Sequence, residues 1–191
     1  MKNLSYKFAN ILVKNDIIEN DDFEIYRYGF EVLLYFLLNI FIAFSIGIIL
    51  DKFIHTIIFL SCYCTLRQFT GGYHAKNYIE CALSFAIIYL ITIFTANHID
   101  TYNHKFLLIL FMTISTLIIY KLAPLEHRNK PLTLNEKRIY KARSITIVSV
   151  ISAIFLVSIT FNIFVNYFVY SLLAVIWIST LLVLGKFLNQ K

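Results

Sequence analysis

Apolar residues fall in long blocks along the chain, and the polar residues that separate them are gathered into a few short stretches. Most blocks approach about 20 residues, the length a helix rising 1.5 Å per residue needs to cross roughly 30 Å of hydrocarbon. The pattern predicts six spans, near residues 30–50, 53–66, 79–97, 106–123, 144–165 and 168–188. The second is short for a full crossing, which leaves it to borrow flanking residues or to be partly re-entrant. Ahead of the first span, in residues 1–28, Leu4, Phe8, Ile11 and Ile18 recur at helical spacing among Lys2, Lys7 and Lys14. That spacing predicts an amphipathic helix, lying either on the membrane surface or on the protein's own loops.

Composition and charge turn this pattern into a class and an orientation. With 59% hydrophobic and 15% charged residues and a mean hydropathy of +0.73, the chain carries more apolar surface than a water-soluble core can hide. The fold class expected is an all-α integral membrane protein, a single domain over residues 1–191. If the N-terminus is cytoplasmic, 15 of the 17 Lys and Arg lie inside and only Lys52 and Lys105 lie outside. The positive-inside rule then puts both termini in the cytoplasm and favours an even number of spans. Residues 1–28 mix charges of both signs without an apolar core, unlike a cleavable secretory signal. Cys62, Cys64 and Cys81 lie in or beside apolar blocks and read as free thiols. His55 with Cys62 and Cys64 lacks the usual complement of metal ligands, so neither a metal nor a cofactor is expected.

Candidate chemistry gathers in one stretch, Arg67-Gln68-Phe69-Thr70-Gly71-Gly72-Tyr73-His74-Ala75-Lys76, with Cys81 at the entry to the third span. Two adjacent glycines permit positive φ and a tight turn that could draw Arg67, His74 and Cys81 together. A plain connecting loop explains the same residues. On one continuous helix, seven residues would hold His74 and Cys81 roughly 10.5 Å apart, too far for a thiol–imidazole hydrogen bond, so a catalytic pair needs the backbone to bend between them. The same spacing recurs in His55 and Cys62, inside the second span, and is not specific. The pair at the watery edge is the better candidate, because a thiolate can be stabilised there.

Arg67, Gly71-Gly72-Tyr73-His74-Ala75 and Cys81 resemble the signature of the accessory gene regulator B (AgrB) family. A second block, Ala123-Pro124-Leu125-Glu126-His127 through Asn129-Lys130-Pro131-Leu132, resembles that family's loop after the fourth span, with Arg128 standing where relatives carry proline. The resemblance extends over almost the whole chain. It implies a cysteine endopeptidase of the Gram-positive cell membrane that trims an AgrD-like propeptide in quorum sensing and promotes its closure to a thiolactone. Cys81 would be the nucleophile and His74 its base, with Arg67 binding substrate carboxylate or developing negative charge and Gly71 and Gly72 shaping the loop. Lys121, Arg128, Lys130, Lys137 and Arg138, in the basic stretch 121–143, could draw an acidic propeptide tail; topology and anionic lipid explain the same charges. Expected partners are the propeptide and the bilayer, with room for a homodimer and no nucleic acid. The competing reading is a small membrane transporter or exporter, which should carry ionisable residues or broken helices near the bilayer midplane. His55 is the clearest of few candidates for that.

Overall fold

The computed structural model describes residues 2–73, 78–126 and 132–188. Its seven α-helices are α1 (Lys2–Lys14), α2 (Phe23–Ile49), α3 (Phe53–Thr70), α4 (Tyr78–His98), α5 (Lys105–Leu122), α6 (Leu134–Phe161) and α7 (Val165–Leu188), and no strand is present among the described residues. Five of them, α2, α4, α5, α6 and α7, are long and apolar enough to cross a membrane. The chain therefore has the build of a multi-pass membrane protein.

Three boundaries differ by several residues from expectation. The first span was expected from residue 30, yet α2 begins at Phe23, so Phe23 to Tyr28, expected in the N-terminal amphipathic segment, belong to α2. The second block predicted only residues 53–66, yet α3 continues to Thr70 and includes Arg67. Its 18 residues extend about 27 Å at 1.5 Å per residue. The fifth predicted span began at 144, yet α6 begins at Leu134, so Lys137 to Arg143 lie on helix rather than in a loop. Thr133 is the reason: its hydroxyl accepts from the Glu136 N–H while the Glu136 side chain returns to the Thr133 N–H, a reciprocal cap that starts the helix before the apolar stretch.

Consecutive helices of the bundle alternate in direction, and α2 packs on α3, α5 on α6 and α6 on α7. Asp51, with φ 54°, turns the chain from α2 into α3, and Asn162, with φ 59°, ends α6 just before α7. The starts of α3, α5 and α7 thus share one end of the bundle, and the ends of α3, α5 and α7 share the other. At the centre is α7, which packs against α3, α4, α5 and α6. Leu172, Ala174, Val175, Ile178 and Leu182 on it are fully buried, with Ser171, Ser179 and Gly185 among them. Small residues let neighbouring backbones approach closely, which helix association without a hydrophobic driving force requires. Polar pairs tie the helices together: Trp177 Nε1 donates to Thr92 Oγ1 at 3.0 Å, Thr116 and Ser152 hydroxyls meet at 2.9 Å, and Thr56 pairs with Tyr89.

The N-terminal helix lies along α2. It turns Ser5 and Ala9 inward, both fully buried, and its Tyr6 and Phe8 rings meet Phe23 and Phe30. Leu4, Phe8 and Ile11 remain 40% to 52% exposed, leaving much of the apolar side uncovered by protein. Ile18 lies beyond the helix. Ser5 and Ala9 are thus the residues fully covered, while Tyr6 and Phe8 give only part of their surface to α2 rings.

Candidate functional site

The end of the bundle where α3, α5 and α7 finish carries a backbone junction built around two glycines. Gly71 ends α3 with φ 67° and Gly72 follows with φ 116°, both in the region that disfavours any side chain. Each also leaves no space for one. A Cβ on Gly71 would lie 2.3 Å from Leu125 O, and one on Gly72 would lie 2.3 Å from Arg67 Nη1 and 3.2 Å from Leu181 O. The turn thus needs glycine twice over, for conformation and for contact.

Three segments meet there. Leu125, just after the cis Ala123–Pro124 bond, donates its N–H to Thr70 O at 2.9 Å and forms a parallel bridge with Gly71. Tyr73 donates its N–H to Leu181 O of α7 at 3.0 Å. One turn further along α7, a Cβ at Gly185 would lie 2.7 Å from Tyr73 N and 2.6 Å from Leu125 Cδ2. Both blocks that carry the family resemblance are therefore joined, and α7 is the surface on which they join.

Arg67 closes the turn from beneath. Its Nη1 donates to Gly71 O and its Nη2 to Tyr73 O, so one planar guanidinium holds two carbonyls of the same turn. Cys81 stands in the first turn of α4, half-buried, within electrostatic reach of Arg67 and of buried Tyr63. Cys62 and Cys64 are likewise free thiols. His74, Arg128 and Lys130 lie outside the described residues, and so does His127.

The described part of the basic stretch faces the same end. Lys121 and Arg138 are exposed, while the Lys137 ammonium pairs with a Glu126 carboxylate oxygen at 2.8 Å. That contact, with the Leu132 N–H adding to it, holds the Glu126 carboxyl below its ordinary range. Arg143 lies over the Phe69 ring, 5.3 Å from its centroid, and Phe69 meets Tyr140 edge to face. This fastens the start of α6 to the end of α3.

Sequence reasoning missed Tyr63, Leu181 and Gly185 as parts of this end, named Leu125 only within the second block and not as a contact of Gly71, and missed Glu31 elsewhere. Tyr63 had a readable signal, because i and i+4 residues share a helix face and Arg67 is four further on. Gly185 had a weaker one, as a lone glycine in an apolar helix. Glu31 is 8% exposed on α2, with Oε1 unpartnered among the described residues. His55, expected as a polar group within the second span, is at the opposite end of α3 from Arg67 and stacks on Tyr167 at 4.6 Å.

The chain is thus a helical bundle with the build of a multi-pass membrane protein, closed at one end by a turn that needs two glycines, an arginine and a facing α7 glycine, with a free thiol near it. The sequence profile of accessory gene regulator B matches residues 5–183, and the chain belongs to that family. An AgrB-like protein of Clostridium perfringens (strain SM101 / Type A) is 27% identical over 143 residues, covering 72% of this chain and 67% of its own. Accessory gene regulator protein B of Staphylococcus aureus (strain bovine RF122 / ET3-1) is 27% identical over 135 residues, with 70% and 72% covered. The protein of that name from Staphylococcus intermedius is 26% identical over 141 residues, with 74% of each covered. No solved structure matches.

Proposed function

We propose that this chain is a quorum-sensing membrane cysteine endopeptidase that removes the C-terminal tail of an AgrD-like propeptide and promotes thiolactone closure of the remainder. Cys81 is the nucleophile and His74 the base that takes its proton. Thiolate attack on the scissile carbonyl forms a C–S bond. Collapse of the tetrahedral intermediate breaks the C–N bond, and the imidazolium returns the proton to the departing amine. The N-terminal part stays on Cys81 as a thioester. A thiolate of the bound propeptide then exchanges with it, closing the ring and freeing Cys81. One thioester replaces another, so this step is close to neutral, and a held substrate thiol outruns water through its effective concentration.

The observation that carries this reading is Arg67. Its guanidinium donates to the carbonyls of Gly71 and Tyr73, the residue immediately before His74, while Cys81 lies within its electrostatic reach. Arg67 thereby serves as a positioning residue, holding the turn that delivers the imidazole. In the reading we propose, α3 is the sixth span, both termini lie in the cytoplasm, and the Arg67 end opens there, where a leader peptide lying in the interface can reach it.

Mass spectrometry tests the reaction. Protein purified in lipid and mixed with its propeptide should accumulate an adduct at Cys81 that resolves into a cyclic product and a free tail. Linear, hydrolysed peptide alone at full activity would overturn the cyclase. Processing by Cys81→Ala at a rate near wild type would overturn the nucleophile.

A further inference from the structure

Attack of a thiolate on a carbonyl puts negative charge on the carbonyl oxygen, and a donor aimed at that oxygen is among the largest contributions to acyl-transfer rates. Arg67 has the right chemistry for such a donor, but both terminal nitrogens of its guanidinium are engaged by the turn, Nη1 with Gly71 O and Nη2 with Tyr73 O. Its charge is felt at Cys81, yet its hydrogen bonds point elsewhere. A second donor is needed beside the thiol.

The packing of α3 on α4 supplies one. The two helices run in opposite directions and meet through rings: Phe59 lies 5.2 Å from Tyr89 and Tyr63 lies 5.5 Å from Phe85, centroid to centroid. From the first pair to the second is four residues forward on α3 and four back on α4, about one turn of each. The same step taken once more pairs Arg67 with Cys81, and the electrostatic interaction of those two agrees with this register. Tyr63 is therefore one turn before Arg67 on the same face of α3, and it interacts electrostatically with both Arg67 and Cys81. Its ring is only 8% exposed and is fixed by Phe59, stacked at 5.4 Å, as well as by Phe85. Among the described residues its hydroxyl has no hydrogen-bond partner, although a tyrosine this deeply placed ordinarily finds one.

We propose that Tyr63 is a catalytic residue whose hydroxyl donates to the carbonyl oxygen of the scissile bond as Cys81 attacks. The proposal rests on the acyl-transfer reading of Cys81 given above. As the C–S bond forms, the carbonyl π pair moves onto oxygen, and the Tyr63 O–H holds that oxyanion without giving up its proton. The pair returns when the C–N bond breaks. The same donor serves the second tetrahedral intermediate, formed when the propeptide thiolate attacks the thioester. A ring held on two sides of the helix seam keeps the hydroxyl in place before the charge develops, which is what makes such a donor effective.

Two small electrophiles test this on one thiol. p-Nitrophenyl acetate acylates Cys81 through an oxyanion, whereas iodoacetamide alkylates it by displacing iodide and forms none. Full-length protein in lipid is treated with each, and mass spectrometry follows the Cys81 peptide at fixed pH. Tyr63→Phe removes the hydroxyl and keeps the ring, so acylation should slow by at least about tenfold while alkylation and Tm stay at wild-type values. Propeptide processing should fall about a hundredfold in kcat with little change in KM. Acylation at the wild-type rate in Tyr63→Phe overturns the role. An equal slowing of acylation and alkylation, or a lowered Tm, overturns it too, because Tyr63 would then only support the helix seam. Failure of the underlying reading shows elsewhere, as propeptide processing by Cys81→Ala at a rate near wild type.

Discussion

At the Arg67 end of the bundle, glycine brings backbone against backbone until no room is left; at the Lys52 end, aromatic rings hold a space open. Gly71, Gly72 and Gly185 have neighbouring atoms where a Cβ would be, and the Arg67, Leu125 and Tyr73 donors are already spent on Gly71, Tyr73, Thr70 and Leu181 carbonyls. The His55–Tyr167 stack borders an open volume whose polar groups face no carboxylate among the described residues. The contrast teaches which end is built to position. A turn whose Thr70, Gly71 and Tyr73 carbonyls are all held by donors suits the positioning role proposed for it.

The largest effect expected from breaking this division is at Cys81. Cys81→Ala should lower processing by at least about a thousandfold, because no other group replaces the nucleophile. Cys62→Ala and Cys64→Ala should stay near wild type, and a propeptide cleavage assay on membranes containing equal amounts of each variant checks the contrast. Next is the glycine junction. Gly185→Ala puts a methyl 2.7 Å from Tyr73 N, a backbone atom that cannot swing aside, so a loss of about 1–3 kcal/mol and a lowered Tm are expected. Processing should fall with it, since the displaced segment immediately precedes His74. A Gly185→Ala protein with unchanged Tm and activity would remove the junction from the argument. Arg67→Lys should rank below, retaining the charge but losing the fork that holds two carbonyls. Its expected signature is lowered kcat with little change in KM, read from initial rates.

Much of the fold was legible because apolar run length reports span length directly, and α4, α5 and α7 lie close to their predicted ranges. The misjudged boundaries, at the start of α2, the end of α3 and the start of α6, are those where a helix continues past the apolar run through charged or polar residues. Arg67 and Gln68 look like the end of a span, but nothing in a polar residue stops a helix; Gly71 does, three residues later. The start of α6 was written in Thr133 and Glu136, a pair three residues apart that caps a helix wherever hydropathy places the membrane. The glycine turn was legible as a turn. That Leu125, Leu181 and Gly185 would complete it was not, because those contacts join segments more than 50 residues apart in the chain and depend on how α7 packs. For the same reason the hollow between Lys52 and Tyr170 has no trace in any local pattern.

The smallest effect expected concerns Glu126, which ties the junction loop to α6 through Lys137. Hydrogen bonding to Lys137, and after it to the Leu132 N–H, lowers the carboxyl's folded pKa. A depressed pKa stabilises the fold above the unfolded value of about 4.3, and the contribution is lost as pH falls through the lower folded value. Wild type and Glu126→Gln should therefore differ in Tm by a constant small amount from pH 7 to pH 5, and the curves should converge only in more acidic solution. The pair is exposed to solvent, so salt should also shrink the difference. A gap that instead widened toward low pH would mean that the carboxylate opposes the fold and that the Lys137 contact is incidental. The same variant bears on the basic face. With Glu126 neutral, Lys137 regains a free charge beside Lys121 and Arg138, and if that face draws an acidic propeptide tail, KM at low salt should fall slightly while kcat stays put. An unchanged KM across ionic strength would assign these cations to topology and lipid instead.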